Sequence, residues 1–371
     1  MGCSYCYYLG KEELFSGASV QRMPDLLLEE YIVQHIEASE EEVIHFAWHG
    51  GEPMLAGLEF FKKAVDFQKR YCPEGSRILN GIQTNGTLLD PAWCEFLARE
   101  NFLTGISIDG PESLHSAHRR DHLGNSTYQA TLRGYHLLRQ FGVQPEILCV
   151  VNSRNAAHPV EVYDFFLGMG ASYLTFLPLV EYRPEASSGE AGSYPVSSRS
   201  VAPQEFGEFL IRIFDRWKER DIGKIKVQIF EEALRGAFGQ DHTLCIFKKR
   251  CGRVPVLEHN GDFYSCDHYV DREHRPGNIL ETHLEELLEG VQQTRFGEAK
   301  YNSLPGYCLQ CEVLEMCGGE CPRNRFISTP GGEPGLNYLC EGYKLFFTHC
   351  APFVSEVARI WEMDRDRKGP P

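Results

Sequence analysis

Eight of the fourteen cysteines fall within one C-terminal stretch: Cys245, Cys251, Cys266, Cys308, Cys311, Cys317, Cys321 and Cys340. Their spacing is C-x5-C-x14-C-x41-C-x2-C-x5-C-x3-C-x18-C. Thiolates at this density ask for a soft metal, and eight is the ligand count of two four-thiolate sites. Four thiolates suit a structural zinc ion and an iron–sulfur cluster equally, so the cysteines alone leave the metal open. A further pair, Cys3 and Cys6, forms a C-x2-C among Tyr5, Tyr7 and Tyr8. Cysteines clustered in this way in a reducing compartment point to metal or catalysis rather than to disulfides.

The elements that must position these thiols alternate. Helices are expected at residues 24–39, 58–71, 91–99, 128–141, 160–169 and 204–220, and strands at 43–48, 78–83, 103–108, 146–151 and 173–177. Apolar strands separated by amphipathic helices predict an α/β fold with parallel strands and helical crossovers. In such folds active residues sit on the loops that follow the strands. Three of those loops read His49-Gly50-Gly51-Glu52-Pro53, Thr84-Asn85-Gly86 and Asp109-Gly110. Residues 187–200, rich in Ser, Gly and Pro, read as a loop inserted toward the substrate. The Asn260-Gly261 pair between apolar runs marks a hairpin. A closing helix is expected at 347–362, followed by a frayed charged tail at 364–371. Cys72, Cys94, Cys149 and Cys350 fall on or beside helices and strands and read as small buried hydrophobes.

The length of 371 residues allows two domains, and no apolar run reaches the roughly 18–20 residues that span a bilayer. The start lacks the basic and apolar regions of a signal peptide, so a cytoplasmic protein is expected. A formal charge of −15 argues against nucleic acid or an anionic membrane as the main partner.

Taken together, Cys3-Ser4-Tyr5-Cys6, Gly50-Gly51-Glu52-Pro53, Gln83-Thr84-Asn85-Gly86-Thr87 and Ser107-Ile108-Asp109-Gly110 resemble the motifs of the radical S-adenosylmethionine (SAM) superfamily. The resemblance implies a partial (β/α)6 TIM-like barrel over residues 1–225. Cys3 and Cys6 match the second and third ligands of the family's C-x3-C-x2-C loop, which holds a [4Fe–4S] cluster whose open iron chelates SAM. The first ligand would lie four residues before Cys3, upstream of Met1, so an N-terminal truncation that also removes the first barrel strand is expected. Tyr5, Gly51, Ser107, Arg119 and Val180 occupy positions where similar enzymes contact SAM.

The eight-cysteine stretch resembles the SPASM auxiliary-cluster domain, expected over residues 241–342 with a terminal helix and tail at 343–371. Cys266-Asp267-His268-Tyr269-Val270 is similar to a stretch of the anaerobic sulfatase-maturating family. That resemblance assigns Cys245, Cys251, Cys266 and Cys321 to a first auxiliary [4Fe–4S] cluster, and Cys308, Cys311, Cys317 and Cys340 to a second. With the SAM-binding cluster the count is three. It makes Asp267 the general base. It implies oxidation of a Ser or Cys side chain in a sulfatase Cys/Ser-x-Pro-x-Arg motif to 3-oxoalanine (Cα-formylglycine). A 5′-deoxyadenosyl radical takes the hydrogen, the auxiliary clusters take an electron, and flavodoxin or ferredoxin serves as reductant. His49, Tyr7 and Tyr8 are candidate walls of the site, Tyr8 the stronger as a substrate contact. The alternatives are a SPASM enzyme that forms thioether or carbon–carbon crosslinks in a ribosomal peptide, told apart by Asp267, and a non-catalytic zinc scaffold, told apart by iron and sulfide analysis.

Overall fold

The computed structural model describes residues 1–15, 22–186 and 194–368. Six strands form one sheet in chain order: β1 Val43–Trp48, β2 Arg77–Thr84, β3 Leu103–Ser107, β4 Glu146–Val151, β5 Tyr173–Pro178 and β6 Lys226–Val227. The pairs β1–β2, β2–β3 and β5–β6 are parallel. Helices α1 Asp25–Glu37, α2 Leu58–Tyr71, α3 Pro91–Arg99, α4 Glu112–His118, α5 Tyr128–Gln140, α6 Pro159–Gly168, α7 Pro203–Arg220 and α8 Gln228–Arg235 intervene or follow. The α/β class is as expected, and the five anticipated strands match to within a residue at each end. The sixth strand, β6, was not anticipated. It is two residues long and runs directly into α8, so it leaves no alternating pattern to read.

The cysteine-rich stretch adds short strands β7 Val256–Leu257, β8 Asp262–Tyr264, β9 Gly277–Asn278, β10 Ile327–Ser328 and β11 Pro334–Leu336. It also adds helices α9 Leu284–Glu289, α10 Val291–Asn302, α11 Gly306–Leu309, α12 Leu314–Cys317 and α13 Cys340–Lys368. The Asn-Gly signal is a true hairpin: β7 and β8 pair antiparallel, and Gly261 turns with φ 86°. Helix α13 starts at Cys340 and runs through to Lys368, seven residues earlier and six later than the expected 347–362. Residues 364–368 are therefore helical rather than frayed, and 369–371 lie outside the described residues. Residues 187–193 of the anticipated loop also lie outside them, while Tyr182 and Val196 form an isolated bridge beside it. Among the described residues no helix is long and apolar enough to cross a membrane.

The chain divides into two compact units. Unit 1 comprises Met1–Ile108, Ser116–Ile147 and Cys251–Glu298. Unit 2 comprises Asp109–His115, Leu148–Arg250 and Ala299–Pro371. Unit 1 is built on edge-to-face aromatic packing, in which Trp48 meets Phe60 and Phe61, and Phe61 meets Trp93. Such pairs add about 0.5–1.5 kcal/mol each beyond their burial. A second apolar cluster joins Leu27 of α1 to Phe263, Ile279, Leu284 and Leu287 of the hairpin region. Helix α3 starts sharply because the Asp90 carboxylate accepts from Trp93 N at 2.9 Å and Pro91 supplies the first turn.

Unit 2 is built on α7 and α13. Gly207 and Gly342 allow their backbones to touch, since a Cβ on Gly342 would lie 2.1 Å from Pro203 O. Phe206 packs on Tyr343, and Phe214 on Phe346 and Phe353. Cys94, Cys149 and Cys350 are buried as expected. Cys72 is not: it caps α2, half-exposed, with its thiol 3.5 Å from Ser76 O.

Candidate active site and cysteine centres

The N-terminal loop of unit 1 is pinned to the segment after α4. Gly2 N donates to Arg120 O at 2.9 Å and Ser4 N to His118 O at 3.1 Å. The Ser4 hydroxyl lies 2.9 Å from His118 Nδ1. A tight turn, Cys6 N to Cys3 O at 3.0 Å, presents both thiols, Cys3 buried and Cys6 half-buried. The same pinning brings Tyr5 and Arg119 together, the guanidinium 5.6 Å above the ring and both side chains buried.

The loop after β1 meets the N-terminal loop through Tyr8. A Cβ on Gly51 would come within 3.3 Å of the Tyr8 ring, so glycine is what lets the ring lie there. The Tyr8 hydroxyl donates to the buried Glu258 carboxylate, 3.2 Å from each oxygen. Glu52 ties the loop to the next strand end. Its Oε1 accepts from the Thr84 hydroxyl at 2.8 Å and Met54 N at 3.2 Å, and its Oε2 from Asn85 N at 2.9 Å. Burial raises the Glu52 pKa, against the pull of those three donors. One strand further, Gln83 Nε2 donates to the Ser107 hydroxyl at 3.1 Å. The Gln83 amide passes over Gly105, where a Cβ would lie 1.9 Å from its oxygen.

Asp267 joins this group in unit 1. The buried Lys11 ammonium donates to the Asp267 carbonyl and lies 4.8 Å and 5.0 Å from the Tyr7 and Tyr8 ring centres. His268 Nε2 is 3.9 Å from Asp267 Oδ2, and its ring packs on Tyr7 at 5.7 Å. The Cys266 thiol donates to Asp267 Oδ1 at 3.3 Å. Desolvation pushes the Asp267 carboxyl up, but His268, the Cys266 thiol, His49 and Lys11 together hold it below the usual carboxylate range. It is therefore a carboxylate at neutral pH, and its side chain keeps 36% of its surface accessible. His49 sits exposed at the end of β1, where crowding atoms lower its pKa and the Asp267 charge opposes them.

Cys251 and Cys266 also belong to unit 1, held by α10. Cys251 N donates to Gly297 O at 3.1 Å, and Gln293 Nε2 donates to Gly252 O at 2.9 Å and Ser265 O at 3.3 Å. Cys245 and Cys321 belong to unit 2. There the buried Lys300 ammonium donates to Cys245 O and Ile246 O, both at 2.7 Å, and Asn337 Nδ2 donates to Cys321 O at 3.3 Å. Val180 follows β5 in unit 2, half-buried and next to Leu179, whose N donates to Val151 O at 2.7 Å.

Cys308, Cys311, Cys317 and Cys340 all lie in unit 2, and none is in a disulfide. Burial pushes Cys317 up to about 12 and Cys340 up to about 11, and Cys308 also upward, with the neighbouring thiols adding to each shift. Thiols raised in this way become thiolates when a cation compensates their charge, which fits a metal cluster on this quartet. Among the described residues no three His, Cys, Asp or Glu side chains converge as ligands of a single metal ion. A groove of about 860 Å³ lined by Arg22, Leu27, Tyr71, His259 and Leu280 includes none of the cysteines and none of Tyr5, Gly51, Ser107, Arg119, Val180 or Asp267.

Lys11, Glu258, His268, Gln293 and Lys300 were not singled out from the sequence. His268 could have been, since it directly follows Asp267. The others reach the site across long separations: Lys11 to Asp267 is 256 residues and Tyr8 to Glu258 is 250.

The radical SAM superfamily matches residues 1–166, and SPASM, an iron–sulfur cluster-binding domain, matches residues 245–312. A serine-type anaerobic sulfatase-maturating enzyme of Bacteroides thetaiotaomicron is 42% identical over 95% of this chain and 87% of its own length. The chain belongs to the anaerobic sulfatase-maturating enzymes. A cysteine-type member from Clostridium perfringens is 32% identical over 96% of this chain and 94% of its own. The solved structure of native anSMEcpe with bound AdoMet superposes with a TM-score of 0.85 at 32% identity, covering 96% of this chain and 95% of that one. The same enzyme has also been solved with bound AdoMet and the Cp18Cys peptide. Streptococcus suis SuiB bound to precursor peptide SuiA, at 15% identity and a TM-score of 0.58, shares the fold.

Proposed function

We propose that this enzyme oxidises a serine or cysteine side chain of a sulfatase to 3-oxoalanine, with Asp267 as the base. The observation that carries the reading is the accessible Asp267 carboxylate, which follows Cys266 directly and is linked through Lys11 and Tyr8 to the Gly51 loop. Cys3 and Cys6 would hold the SAM-binding cluster. Tyr5, Gly51, Ser107, Arg119 and Val180 would contact SAM, Arg119 suiting its carboxylate. Cys308, Cys311, Cys317 and Cys340 would hold one auxiliary cluster, and Cys245, Cys251, Cys266 and Cys321 are assigned to the other. When bound, these groups supply hydrogen-atom abstraction and one-electron acceptance.

The chain's own residues do the rest. Turning CH2OH into CHO removes two hydrogens, and the one on oxygen leaves as a proton that Asp267 Oδ accepts. Lys11 grips the Asp267 main chain, fixing where that carboxylate points. Tyr7 and Tyr8 hold the Lys11 ammonium over their rings, and Tyr7 packs on His268 beside the base. The greater identity to a serine-type relative than to a cysteine-type one favours serine as the target residue. The setting is cytoplasmic, with flavodoxin or ferredoxin as reductant.

The test uses anaerobically loaded protein, SAM, reductant and paired peptides carrying Ser or Cys in a Cys/Ser-x-Pro-x-Arg motif. Loss of two hydrogens from the serine peptide, trapped as a hydrazone, is expected. SAM cleavage that leaves both peptides unchanged would overturn the assignment.

A further inference from the structure

Arg325, four residues after Cys321, donates through its guanidinium to the segment between two cysteines and to the end of α10. Nε donates to Gly319 O at 3.0 Å and Nη2 to Glu320 O at 3.1 Å. Nη1 donates to the Lys300 carbonyl and to the Ser303 hydroxyl, the latter at 3.3 Å. The gripped segment is left-handed at three successive residues: Gly318 at φ 58°, Gly319 at φ 72° and Glu320 at φ 50°. Glu320 is one of two non-glycine residues with positive φ among the described residues, so something must hold it there. The turn has no slack: a Cβ on Gly318 would lie 2.2 Å from Phe247 O, and one on Gly319 would lie 2.3 Å from Leu304 and 2.8 Å from Arg325 itself.

The turn has a chemical result. It aims the Gly319 N–H at the Cys317 sulfur, while Glu320 N closes on Cys317 O at 3.0 Å. The guanidinium's positive charge is fixed on the carbonyls two and three residues after Cys317. Hydrogen bonds to ligand sulfur and nearby positive charge both stabilise the reduced, more negative state of an iron–sulfur cluster.

We propose that Arg325 is a positioning residue that holds the 318–320 turn against Cys317 and raises the reduction potential of the cluster on Cys308, Cys311, Cys317 and Cys340. This rests on the reading that the quartet carries an iron–sulfur cluster. A planar fork reaching several carbonyls at once is a task for arginine that lysine cannot copy.

The test is an EPR-monitored redox titration of full-length, anaerobically reconstituted protein without peptide substrate. The quartet's signal is the one lost in Cys311→Ser. Arg325→Lys keeps the charge and loses the fork; Arg325→Gln loses both. The potential is expected to fall from wild type to Arg325→Lys and further to Arg325→Gln, with iron content unchanged in the lysine variant. If Arg325→Gln sheds iron, the lysine variant decides: a lowered potential supports the proposal and an unchanged one overturns it. A glutamine variant with full iron and the wild-type potential also overturns it. Wild-type protein that binds zinc but no iron and sulfide at the quartet would instead sink the underlying cluster reading, and that result comes from the wild type alone.

Discussion

Removing the Glu52 carboxylate should loosen the strand-end loop after β1, and the size of the effect follows from its bonds. Three donors converge on it: the Thr84 hydroxyl at 2.8 Å, Asn85 N at 2.9 Å and Met54 N at 3.2 Å. Hydrogen bonds to a charged group contribute about 1.5–3 kcal/mol each when well formed. Two are short and one is long, and water can enter beside a half-buried residue, so Glu52→Ala should cost about 2–4 kcal/mol locally. Glu52→Gln keeps one acceptor oxygen but turns an NH2 toward a donor, and should cost about 1–2 kcal/mol. Hydrogen exchange read by mass spectrometry on peptides covering Thr84–Leu89 resolves this without assuming that the whole chain unfolds in one step. At about 1.4 kcal/mol per decade, the alanine variant should exchange there roughly 30- to 700-fold faster, and the glutamine variant roughly 5- to 30-fold faster. A change below about threefold in Glu52→Ala, or equal effects of the two variants, would refute the account of Glu52 as the tie between the loops.

Four further outcomes are expected. Asp267→Asn should lower peptide oxidation by on the order of 10²–10⁴ while SAM is still consumed, read by mass spectrometry and by 5′-deoxyadenosine release. Gly318→Ala puts a Cβ 2.2 Å from Phe247 O at a left-handed position, so it should cost about 2–4 kcal/mol in thermal unfolding and strip iron from the quartet. Tyr8→Phe loses the bond to buried Glu258 and should cost about 1–2 kcal/mol with SAM affinity little changed, read by urea unfolding and by equilibrium dialysis of loaded protein. His242 lies 2.8 Å from Glu232, which raises the histidine's pKa above 6.5, while Glu232 is lowered below 4.5 despite its burial. The histidine's contribution is complete below 6.5 and fades as pH rises through its raised value; the glutamate's is complete above 4.5 and fades as pH falls through its lowered one. The melting temperature of wild type relative to His242→Gln should therefore peak between those limits and converge at alkaline pH.

Much of the barrel half was legible because its strands are apolar runs and its helices carry period-3.6 faces that punctuation separates cleanly. The two-residue β6 was not, since parallel pairing with β5 comes from position rather than from composition. The early start of α13 was obscured by Gly342, a poor helix former that is there because α7 presses against it. Motifs drew attention to Cys3, Cys6, Gly51 and Asp267, but not to what surrounds them. Lys11 looks like any surface lysine until Asp267, far along the chain, comes to lie against it. Arg325 is likewise one basic residue among many, and its importance appears only from the three carbonyls that it collects.

Unit 1 is discontinuous: residues up to Ile147 join a segment that begins only at Cys251 and ends at Glu298. On the ribosome this sets an order of events. The 120 residues from Ile147 to Asp267 (267 − 147) take roughly 6–24 s to synthesise. Through that interval the N-terminal loop exists without its later partners: Tyr8 lacks Glu258, and Lys11 lacks Asp267. On the proposed reading of Cys3 and Cys6 as cluster ligands, they are thus open to cluster delivery on the nascent chain before Asp267 reaches Lys11. They are open to oxygen over the same seconds, so exposure during synthesis should harm the yield of loaded enzyme more than the same exposure after it.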